Sequence, residues 1–68
     1  PEGWLDLDQA PGTDLEAKLS QLARWVVDLE AQGIRYGLRL GGVQLPVSLG
    51  PAHRHTCLEA LALHGRDT

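Results

Sequence analysis

The stretch that decides the fold is "IRYGLRLGGVQLPVS", residues 34–48. Ile34, Tyr36, Leu38 and Leu40 alternate with Arg35, Gly37 and Arg39, the two-residue period of a half-buried strand. Gly41-Gly42 then forms a two-residue loop whose conformational freedom suits the primed hairpin turns. Folding the chain back over that loop sets Leu40 against Val43, Leu38 against Leu45 and Tyr36 against Val47. Every apolar residue then shares one face, while Arg35, Arg39, Gln44 and Ser48 share the other. A slip of one residue would destroy that segregation, so the register is well specified. Pro46 falls opposite Gly37 in a non-hydrogen-bonded pair, with its missing N–H directed away from the second strand. Such a proline is tolerated only at an edge, so residues 43–47 are predicted to be the edge of the sheet.

Outward toward the N-terminus, Leu15, Leu19, Leu22, Val26 and Leu29 form one stripe of a helix over residues 14–32, with Gly33 as its left-handed stop. Thr13 stands three residues before Glu16, the spacing of a capping box. Before it, Trp4-Leu5-Asp6-Leu7-Asp8 alternates like a strand and ends at the turn signal Ala10-Pro11-Gly12. Toward the C-terminus, Pro51 suits the first turn of a helix over residues 51–64. Leu58, Leu61, Ala62 and Cys57 supply its apolar side, and Gly65 is the expected stop. The order is β-α-β-β-α. A right-handed crossover makes strand one parallel to strand two, and the hairpin strand adds antiparallel. The expected fold is α/β: a three-stranded mixed sheet of order 1-2-3 with both helices on its apolar face.

Residues 1–68 make one small domain, with 43% apolar and 22% charged residues, an ordinary globular balance. Net charge is −3 and the six Lys and Arg are scattered, which argues against a nucleic-acid footprint. The chain begins at Pro1 and contains no methionine, so it is expected to be an excised piece of a longer protein. No apolar run approaches the length of a membrane span, and no membrane contact is expected of this fragment.

Candidate chemistry is sparse. Asp6 and Asp8 on one strand face, with Thr13 beyond the turn, form an outline site for a hard cation such as Mg²⁺. The plainer reading makes the aspartates solvated strand-end residues and Thr13 a cap. His53 and Cys57 share a helix face at i, i+4, while His55 points elsewhere. Two ligands do not make a structural zinc site, which takes four. Cys57 is expected in the core, not in the open electropositive setting of a nucleophilic thiol. No catalytic residue and no cofactor is assigned. Trp4 shares the Asp6 side of its strand, away from Leu5 and Leu7, and Trp25 lies off the leucine stripe. Large apolar groups in such places mark surfaces that another domain covers.

"WLDLDQAPGTDLEAKLSQLARWVVDLEAQGIRYGLRLGGVQLP", followed by "AHRHTCLEALAL", resembles the C-terminal part of the bacterial "domain of unknown function 58" family. The resemblance rests on Leu-Asp at a strand end, a helix around Arg-Trp-Val, then Tyr-Gly-Leu-Arg-Leu, a proline, and a His-bearing helix reading Cys-Leu-Glu-Ala-Leu-Ala. It implies the first β-α-β-β-α portion of a doubly wound, von Willebrand factor A-like domain. It also implies a protein anchored in the bacterial inner membrane with this part on the cytoplasmic side, associated with MoxR-type AAA ATPases. Metal-binding A domains end their first strand Asp-x-Ser-x-Ser. Aligned on Asp6, this chain has Asp8 and Ala10 at the serine places, which implies a degenerate metal site.

The expected role is therefore a non-enzymatic interaction or assembly module. Its partners would be other domains of the same protein, a MoxR-type ATPase or, weakly, a second copy through strand one. The expected surface is Trp4, Asp6, Arg35 and Arg39. The competing expectation is a Mg²⁺-dependent adhesion-type domain using Asp6, Asp8 and Thr13.

Overall fold

The computed structural model describes residues 2–66, with the backbone alone at Glu2. Strand β1 (Glu2–Asp6) leads through a 3-10 turn (Leu7–Gln9) to helix α1 (Leu15–Gln32). Strands β2 (Arg35–Leu40) and β3 (Val43–Ser48) form a hairpin, and helix α2 (Pro51–Arg66) follows. The sheet order is β1-β2-β3, with β1 parallel and β3 antiparallel to β2. Leu5, Tyr36, Leu38 and Leu40 from the sheet join Leu19, Leu22 and Val26 of α1 and Cys57 and Leu61 of α2 in a single core. Both helices therefore cover the same face, as the one-sided apolar pattern requires.

Strand one is as long as its alternation predicts but lies two residues nearer the N-terminus. Asp6 Oδ1 accepts the Asp8 N–H at 3.0 Å and so caps the 3-10 turn, ending the strand two residues early. The turn swings Leu7 into the core together with Ala10, so apolar alternation continues after the extended backbone has stopped. Asp6 and Asp8 consequently do not share a strand face.

The cap of α1 also moves by one residue. Asp14, not Thr13, is the N-cap: its Oδ1 accepts from Ala17 N at 2.8 Å, while its carbonyl receives the first helical bond from Lys18 N. Thr13 lies one residue too early for that geometry and is exposed. At the other end Gly33 adopts φ 72°, and its N–H reaches back to the last turn.

The hairpin closes with positive φ at Gly41 alone of the two loop residues, the pattern of a type II′ turn. Leu40↔Val43, Arg39↔Gln44 and Leu38↔Leu45 pair as expected, but Tyr36 faces Ser48 and not Val47. Two residues of β3, Pro46 and Val47, are thus set against Gly37, a β-bulge. The extra residue is absorbed where the proline stands. Edge strand β3 leaves Val43 half exposed at the tip, beyond the reach of the helices.

Helix α2 does not stop at Gly65. It runs through it to Arg66, and a Cβ at Gly65 would come within 3.2 Å of Leu19 Cδ1 on α1. Gly65 permits close helix packing and is not a terminator. Ala62, placed by periodicity on the apolar side, is exposed.

Candidate functional site

The face opposite the helices carries Trp4 and Asp6 of β1 beside Gly37 and Arg39 of β2, which are their direct partners in register. Trp4 ring atoms Cζ3, Cε3 and Cη2 stand only 2.5, 2.8 and 2.9 Å from where a Cβ on Gly37 would be. Glycine at 37 is therefore required by the indole, not by backbone conformation. The Arg39 guanidinium carbon lies 4.2 Å from the ring centroid, a cation–π contact. Gly37 is buried beneath the indole, whereas Trp4 itself remains 40% exposed. Strand alternation puts Arg35 on the same face. Sequence reading had placed Trp4, Asp6, Arg35 and Arg39 together, but it missed the stacking. A glycine in mid-strand is a mark of close approach, and the parallel register with Trp4 is what reveals its cause.

A second cluster ties the far ends of the elements together. Glu30, in the last turn of α1, accepts the Tyr36 hydroxyl at 3.0 Å and the Gly50 N–H at 3.2 and 3.1 Å. Gly50 directly precedes α2, and its carbonyl receives the first bond of that helix from Arg54 N. Glu30 thus fastens the start of α2 to the end of α1. His53 Nε2 donates to the Tyr36 carbonyl oxygen at 2.7 Å, at the bulge where the ladder is irregular. The His53 and Tyr36 rings lie 4.6 Å apart between centroids. Cys57 Sγ lies 3.6 Å from His53 Nε2 and is fully buried.

Burial, reinforced by the Glu30 charge, pushes the Cys57 thiol up to about 11. Burial and the Glu30 hydrogen bond likewise hold the Tyr36 hydroxyl well above its ordinary range. Raised values favour the neutral, unreactive forms of both groups. The arrangement is that of a structural latch. The sequence paired His53 with Cys57 through helical spacing, but Glu30 and Tyr36 join them only through the tertiary fold.

The cation candidates are dispersed. Asp6 Oδ1 is engaged by Asp8 N, Asp8 sits exposed on the 3-10 turn, and Thr13 lies in the loop beyond a buried Ala10. Among the described residues no group of three or more His, Cys, Asp or Glu is placed to hold a metal ion. His55 extends to solvent, 3.7 Å from Glu59. Among the described residues no helix is long and apolar enough to cross a membrane.

No protein-family model, curated protein or solved structure matches the chain.

Proposed function

We propose that this chain is a non-catalytic interaction and assembly module, the opening portion of a bacterial von Willebrand A-like domain. It meets its partners along the outer edge of β1 and the face bearing Trp4, Asp6, Arg35 and Arg39. The observation that carries this reading is the unequal protection of the two sheet edges. Edge strand β3 contains Pro46 and a bulge, two devices that block further strand pairing. Strand β1 contains no proline and no lysine, runs five residues in regular pairing with β2, and among the described residues pairs on that side alone. An edge left unblocked, beside a part-exposed tryptophan, suits occupation by another chain or domain.

On the same reading, the partners are the remaining domains of its own protein and a MoxR-type AAA ATPase. The whole protein is anchored in the inner membrane with this module on the cytoplasmic side. That context derives from the sequence resemblance. The mixed sheet with a parallel β-α-β unit is compatible with it.

Photo-crosslinking in cells tests the surface. A benzophenone side chain in place of Trp4 is expected to capture protein partners, whereas the same group in place of Val43 on the β3 edge captures none. Equal capture at both positions, or none at position 4, overturns the assignment.

A further inference from the structure

We draw no further inference here: the strongest candidate, the open apolar groove between α1 and α2 lined by Leu15, Leu19, Ala23, Leu58 and Ala62, carries nothing because nothing in the structure shows what covers it.

Discussion

The Trp4 indole occupies the space that a side chain on Gly37 would need, its Cζ3 standing 2.5 Å from the would-be Cβ. Gly37→Ala must therefore expel the ring or displace β1. Overpacking of this kind costs about 1–3 kcal/mol. The double variant Trp4→Ala/Gly37→Ala should be more stable than the sum of the singles implies, because the clash is then absent. Urea denaturation of the four species measures the coupling, and strict additivity would show that the contact is not made in solution.

The N-cap of α1 is Asp14. Asp14→Ala should lower stability by about 1 kcal/mol, the usual cost of losing a capping side chain. Thr13→Ala, at the position that capping-box spacing favours, should change stability by less than half that amount. Thermal unfolding of the two variants decides between the caps.

Glu30 is the single acceptor joining the Tyr36 hydroxyl to the Gly50 N–H. Glu30→Ala leaves both donors without that acceptor in a part-buried place, at about 1–3 kcal/mol per group deprived of its partner. Faster amide exchange should appear at Gly50 and through the first turn of α2, with the centre of α1 spared. Exchange that rises uniformly along the chain would argue against a local latch.

Alkaline pH should destabilise the fold through ionisation of Cys57 and Tyr36. Cys57 ionises at an ordinary 9.0 when unfolded but near 11 in the fold, and Tyr36 is likewise raised above its ordinary 10.0. The folded chain holds protons that the unfolded chain releases, so this stability is complete below about pH 9. It is lost as pH rises through the folded values, first through Cys57 and then through Tyr36. Melting temperature should fall over pH 9–11, and Cys57→Ala should flatten the early part of that decline. The same burial predicts that a thiol reagent modifies Cys57 only after unfolding.

Magnesium should bind no tighter than millimolar. Asp6 is occupied in capping the 3-10 turn, Asp8 is exposed on that turn, and buried Ala10 offers no oxygen from its side chain. Titration followed by amide shifts checks this. Saturable submillimolar shifts at residues 6–8, abolished by Asp6→Ala, would restore the cation-site reading.

The amino-acid sequence by itself determined the elements, their order and most of the pairing. Periods of 2 and 3.6 survive in a linear reading because each face of a strand or helix sees one environment. Arg35–Leu40 and Val43–Ser48 declare a hairpin, Leu15–Gln32 a helix with Gly33 at its end, and Pro46 an outer strand. What only the tertiary structure decided are contacts between residues far apart in the chain. The bulge at Pro46–Val47, the stacking of Trp4 on Gly37 beneath Arg39, and the passage of α2 through Gly65 all depend on how neighbouring elements approach. So does the Glu30–Tyr36–His53 network, whose members belong to three different elements. Local propensity is additive along the chain and can be read there. Close approach is a property of two surfaces, and neither surface carries it alone.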